Sequence, residues 1–262
     1  MPRLLFSFCL AAPLLFASLA IDTNVVADDG AKTPAADDSA ADDSAAGDSA
    51  AEKNKKEKKG KGGKMKLPKG TAAAIKGTPK IDGKVDAEWK KVPRVRVSQP
   101  IESLLVSSEE DMAVATVQLM WDETHVYALW RVTDKQLDPE ADEPWQQDSV
   151  ELFLDQDKKG TTTYQADDAQ YRVNCEGEIS GQGAGYNAEH VKAATSVSKN
   201  GYVVEMAVEI DKVKLKPEMK LGLELQVNDN AGDGTRNSVT KWVHTEDDSW
   251  EDTCNFGTLL IK

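Results

Sequence analysis

The stretch that decides the fold is "ATVQLMW" (residues 115–121), "DET" (122–124) and "HVYALWRV" (125–132). Each long run alternates apolar and polar or small residues and is rich in Val, Leu, Trp and Tyr, the composition of a half-buried strand. Three polar residues between two such runs predict a compact hairpin. Outward from it the pattern repeats: "SVELFLD" (149–155), "AQYRVNC" (169–175), "AATSVS" (193–198), "YVVEMAVEI" (202–210), "KLGLELQVND" (220–229), "SVTKWV" (238–243) and "FGTLLI" (256–261). Turn residues separate them, as in "KNG" before Tyr202, "GQGAG" after Ser180 and "DNAGDGTRN" after Val227. Only "DAEWKKV" and "DKVKLKP" read as helical turns, so the expectation is an all-β, antiparallel, jelly-roll-like sandwich over residues 71–262.

The N-terminal quarter is different. "MPRLLFSFCLAAPLLFASLA" has a basic start, a short apolar run and small residues at its end, the layout of a signal peptide over residues 1–27, cleaved after Ala20 or Ala27. Residues 28–70 repeat Ala, Asp and Ser and then become Lys-rich, with nine acidic residues and ten lysines. Such a segment has too little apolar surface to offset the entropy of ordering and reads as a disordered linker. An exported protein, periplasmic, cell-surface or secreted, is expected, without a transmembrane span. The lysines offer an electrostatic contact with an anionic cell envelope. The net charge of −13 falls almost entirely on the folded part, which argues against nucleic acid as a partner.

Two strands carry polar residues in sequence. Val150, Leu152 and Leu154 share one face of the first, leaving Glu151 beside Phe153 on the other; in the second, Gln170, Arg172 and Asn174 share a face. Of the six tryptophans, Trp89, Trp121, Trp130 and Trp242 fit the core, whereas Trp145 ("ADEPWQQDS") and Trp250 ("TEDDSWEDT") sit in acidic loop sequence with no core to fill. Cys175 and Cys254 remain after export and form a possible disulfide. His125, His190 and His244 are scattered, give no zinc spacing and read as surface or turn residues.

"IDGKVDAEW", "LMWDETHVYALWRVTD", "PWQQDSVELFLD", "DDAQYRVN", "LQVND" and "SWEDTCNFGTLLIK" occur in the order seen in family 9 carbohydrate-binding modules, which the chain resembles from about residue 75 to its end. The resemblance implies a non-catalytic sandwich that binds the ends of β-1,4-linked glucan or xylan chains and small sugars, with a preference for the reducing end. It assigns Trp145 and Trp250 as two rings gripping a pyranose. Glu151, Arg172 and Asn174 become the polar set for its hydroxyls. The family pattern has Asn where this chain has Asp247, three residues before Trp250. An ionised carboxylate there only accepts and adds like charge near Glu151, so either Asp247 is paired with a cation or its loop is displaced, and ligand preference or binding strength differs from the family's. The resemblance also implies structural calcium, for which "TDKQLDPEADE" and "DDAQ" offer oxygen ligands.

Rival readings stay open at this level. A glycoside hydrolase would use Glu151 with Asp148 or Asp247. A haem carrier on the same fold would need axial ligands, but Met112, Met120, Met206 and Met219 lie mainly on apolar strand patterns and no C-x-x-C-H exists. A ligand-free scaffold is the third.

Overall fold

The computed structural model describes residues 67–101 and 112–262. The signal-peptide expectation and nearly all of the charged linker lie outside them. Among the described residues there are thirteen strands: β1 (Thr71–Lys76), β2 (Val95–Val97), β3 (Gln99–Pro100), β4 (Val114–Trp121), β5 (His125–Thr133), β6 (Ser149–Asp155), β7 (Asp168–Asn174), β8 (Ile179–Gln182), β9 (Val191–Ser198), β10 (Gly201–Glu209), β11 (Lys220–Asp229), β12 (Ser238–Lys241) and β13 (Gly257–Ile261). Hydrogen bonding links them in the order β8-β7-β6-β11-β13-β1-β4-β5-β10-β9, with β12 beside β11, β3 beside β12 and β2 beside β4. No helix among the described residues is long and apolar enough to cross a membrane.

The sheet folds back on itself because its apolar face must be covered. Val150, Leu152 and Leu154 of β6, Tyr171 and Val173 of β7, and Leu221, Leu223, Leu225 and Val227 of β11 join one buried cluster with Val117 and Leu119 of β4, Val126 and Trp130 of β5, and Val204, Met206 and Val208 of β10. This is the core of a β-sandwich, and period-2 alternation fixes which residues enter it.

The expected hairpin is β4–β5, paired from Val114↔Thr133 to Trp121↔Val126. The "KNG" turn leads into β10 through Gly201 at φ 128°, where a Cβ would stand 2.1 Å from the Val132 carbonyl oxygen, so only glycine fits. Two features differ from the expectation. β1 pairs in parallel with both β13 and β4, which a long connection from 77 to 113 makes possible. "DKVKLKP" is bent rather than helical, whereas "AEWKK" does form a 3-10 turn, Ala87–Lys91, and buries Trp89.

Candidate carbohydrate-binding site

The outward face of β6, β7 and β11 opens into a cleft of about 280 Å³ lined by Trp145, Glu151, Phe153, Gln170, Arg172, Gln182, Gln226, Arg236, Asp247, Ser249 and Trp250. Glu151 lies directly across from Arg172 in the β6–β7 register and from Gln226 in the β6–β11 register. Its Oε1 accepts from Arg172 Nε at 2.6 Å and Asn228 Nδ2 at 2.7 Å, and its Oε2 from Gln170 Nε2 at 2.6 Å. Burial alone would raise the Glu151 carboxyl. The charge and hydrogen bond of Arg172, with help from Asn228 and Arg236, outweigh it and hold the group below the ordinary glutamate value. The pair is therefore no solvated cross-strand contact. It is a buried ion pair, whose breakage leaves a charge stranded in the sheet.

Two loops form the rims. Pro144 starts a short 3-10 turn, Pro144–Gln146, that holds Trp145 outward; Asn230 Nδ2 ties that turn down through the Gln146 carbonyl at 3.0 Å. The second rim follows β12. Buried Glu224 accepts from the backbone N–H groups of Trp242, Val243 and His244 at 2.9, 3.0 and 2.9 Å. Buried Lys241 donates to the Glu246 carbonyl at 2.7 Å and to Ser249 Oγ at 2.5 Å. Trp250 Nε1 then donates to the Asp247 carbonyl at 3.1 Å. The two indoles stay 41% and 48% exposed, while every other tryptophan is wholly or partly buried.

Arg236 connects the rims. Its guanidinium lies 5.3 Å over the Trp145 ring, its Nη2 donates to Asp247 Oδ2 at 2.7 Å and its Nη1 to Asn228 Oδ1 at 3.3 Å. A cationic partner for Asp247 thus exists, and like charge does not accumulate beside Glu151. Two polar atoms in the cleft walls, Gln170 Oε1 and Arg236 Nε, are buried without a hydrogen-bond partner.

Of the residues expected at the site, Trp145, Glu151, Arg172, Asp247 and Trp250 line the cleft. Asn174 does not. It lies at the end of β7, where its amide donates to Gln147 and Glu178 and its Oδ1 accepts from the N–H groups of Glu176 and Glu178, so it shapes a turn instead. The possible disulfide is also corrected: Cys175 is a free thiol buried in the main core and Cys254 a free thiol exposed on the loop before β13. His244 is buried rather than superficial, 2.5 Å from Asp248 Oδ1. Sequence reasoning missed Gln182, Gln226, Arg236 and Ser249. Gln226 had a signal, alternating with Leu225 and Val227; Arg236, in a Gly-rich loop, had none.

A second group of carboxylates fits a metal. Asp134, Asp148 and Asp229, all buried, bring oxygens within 4.8 Å of one another. Asp134 Oδ2 has no hydrogen-bond partner. Burial, reinforced by the neighbouring acids, pushes Asp134 and Asp148 upward. Asp155, Asp167 and Asp168 form another cluster, but their oxygens accept N–H groups of the loop around them.

Comparison with known proteins decides what the cleft belongs to. The model of the carbohydrate family 9 binding domain-like family matches residues 81–262. The chain belongs to that family. It is 40% identical over 197 residues to exoglucanase XynX of Acetivibrio thermocellus and 40% identical over 202 residues to endo-1,4-beta-xylanase C of Paenibacillus barcinonensis. These matches cover 75% and 76% of this chain but only 18% of each relative, and the shared part is a binding module, not a catalytic domain. Among solved structures, a family 9 carbohydrate-binding module from Caldicellulosiruptor kristjanssonii in complex with cellotriose superimposes with a TM-score of 0.67 at 28% identity. It covers 73% of this chain and 93% of that one. The same module in complex with glucose also superimposes at 0.67.

Proposed function

We propose that the cleft holds the terminal pyranose of a β-1,4-linked glucan or xylan chain, at its reducing end, between Trp145 and Trp250, and that this module serves extracellular polysaccharide breakdown without catalysing it. The observation that carries the reading is two half-exposed indoles on one cleft whose floor is a buried polar network. A pyranose presents C–H faces that bury against indoles and a rim of hydroxyls that both donate and accept. Glu151, Gln170, Arg172, Gln226 and Arg236 supply complementary groups around that rim. The chain of contacts Trp145–Arg236–Asp247–Trp250 supports a slot closed at one end, which favours a chain terminus over mid-chain residues. Sandwiching one ring gains a few kcal/mol before association costs, so affinity around micromolar, about −8 kcal/mol, is the expected ceiling.

Calorimetry with cellobiose, xylobiose and their alditols tests this. Alditols, which lack the closed terminal ring, are expected to bind at least about tenfold more weakly. Equal affinity for sugar and alditol would remove the end preference, and a Trp145→Ala protein with undiminished affinity would remove the grip.

Structural calcium belongs to the same reading. Asp134, Asp148 and Asp229 would hold it, since three buried carboxylates with an unpaired oxygen suit a hard cation. It would supply charge neutralisation that anchors the start of the Trp145 loop, because Asp148 accepts from the Asn230 N–H and Asn230 holds the Gln146 carbonyl. Thermal melts in calcium and in chelator check it: at saturating calcium a gain of about 5–10 °C is expected, and identical curves would dismiss the ion.

A further inference from the structure

The cleft carries four charged side chains, and they cancel in pairs: Glu151 with Arg172 and Arg236 with Asp247. The first pair is sealed, with side-chain exposures of 9% for Arg172 and 1% for Glu151. The second is sealed only on its cationic side, at 12% for Arg236 against 34% for Asp247. An arginine beside a sugar site would ordinarily welcome a carboxylate, because its planar fork matches two oxygens at once. Here that fork already has two partners, one of them a carboxylate. Nη2 donates one N–H to Asp247 and Nη1 one to Asn228, the face lies on Trp145, and Nε is buried. What remains for a ligand is a guanidinium whose charge Asp247 already compensates: its second Nη hydrogens suit hydroxyl oxygens, and an incoming carboxylate would have to compete with Asp247.

We propose that Asp247 is a specificity-determining residue that restricts the cleft to neutral sugars and excludes uronic acids, by occupying the guanidinium fork and keeping the lining uncharged overall. This rests on the cleft being the sugar site. A glucuronate ring entering between the indoles would bring its carboxylate to a cleft whose only exposed member of an ion pair is itself an anion. Replacing Asp247 by Asn keeps the shape and leaves Arg236 uncompensated, so the lining gains a net positive charge and a free fork.

The test measures affinities for glucose, cellobiose and glucuronate by calorimetry at low and at physiological ionic strength. Wild type, Asp247→Asn, Arg236→Gln and the double variant are compared. Wild type is expected to bind glucuronate at least about tenfold more weakly than glucose, and Asp247→Asn to narrow that gap by about tenfold, less so at higher salt. The double variant has neither charge and should restore the gap, an outcome that a merely structural role of Asp247 would not give. If Asp247→Asn fails to fold, Arg236→Gln decides: its unpaired carboxylate should widen the gap. Equal gaps in wild type and these variants, or a wild type that holds both sugars equally, would overturn the assignment while leaving the sugar site intact. A wild type that binds no neutral sugar would remove both.

Discussion

On the β4–β5–β10 side of the sandwich, the outward residues Met120, Tyr127, Leu129 and Ala207 are apolar, and Trp89 and Val92 close over them. The polar residues among them are committed to the covering segment. Gln118 Nε2 donates to the Trp89 and Val92 carbonyls, and Glu205 Oε2 accepts from the Asp82 and Gly83 N–H groups. On the β6–β7–β11 side the outward residues are Glu151, Phe153, Gln170, Arg172, Gln226 and Asn228, and two loop tryptophans stand over the cleft without covering it. Both faces derive from the same alternation. What separates them is the cover. Each face keeps buried polar atoms without a partner, Trp89 Nε1 and Glu205 Oε1 on one and Gln170 Oε1 and Arg236 Nε on the other, but only the first is sealed by a segment of the chain, whereas Trp145 and Trp250 leave the second open. The open face can serve as a binding site because its polar groups and two indoles border a cleft that no segment of the chain fills.

The strongest way to break this contrast is to remove Glu151. Glu151→Ala strands Arg172 in the sheet, so a loss of about 3–5 kcal/mol of stability is expected together with loss of sugar binding. Denaturant titration and calorimetry on the folded fraction measure the two. An alanine variant that still binds cellobiose would mean the network is scaffolding only.

Trp89→Ala, on the closed face, should cost about 3–5 kcal/mol by cavity formation and leave affinity unchanged at temperatures where the protein is folded. The reverse profile is expected for Trp145→Ala or Trp250→Ala: a fall in affinity of roughly ten- to a hundredfold, about 1.5–3 kcal/mol, with stability within about 0.5 kcal/mol of wild type. If Trp89→Ala weakened binding as Trp145→Ala does, the two faces would be coupled through the core rather than independent.

Particular residues show how much of this was legible beforehand. The strands were, because Leu152, Tyr171 and Val227 alternate with polar neighbours and a two-residue period admits only one apolar face. Trp145 and Trp250 were, because large rings in acidic loops have no core to enter. Asn174 misled: it shares a face with Arg172, but at the strand end its amide is captured by the following turn, and alternation says nothing of where a strand stops. Arg236 was invisible, since its place over Trp145 depends on how a Gly-rich loop folds back, a tertiary fact that leaves no period. Cys175 and Cys254 illustrate the same limit. Both belong to the folded part, yet one points into the sandwich and the other lies on its surface.

The smallest expected effect contrasts two buried glutamates, Glu205 and Glu151, by pH. Burial raises the Glu205 carboxyl, and the N–H groups of Asp82 and Gly83 only partly offset it. Its folded form holds a proton more tightly than the unfolded chain does. Wild type should therefore gain stability relative to Glu205→Gln as pH falls through that raised value toward the ordinary one of about 4.3. Glu151 has the opposite sign. Burial would raise it, but Arg172 and its other partners leave it depressed, so its contribution is fully present above the ordinary value and is lost as pH falls through the lower folded value. Wild type should lose stability relative to Glu151→Gln only in that acid range, and sugar affinity should fall with it. Melting curves across the range from neutral to strongly acid, taken on the three proteins, give the two difference slopes. Slopes of the same sign would mean that Arg172 does not govern Glu151, and that burial raises the carboxyl on the open face as it does on the closed one.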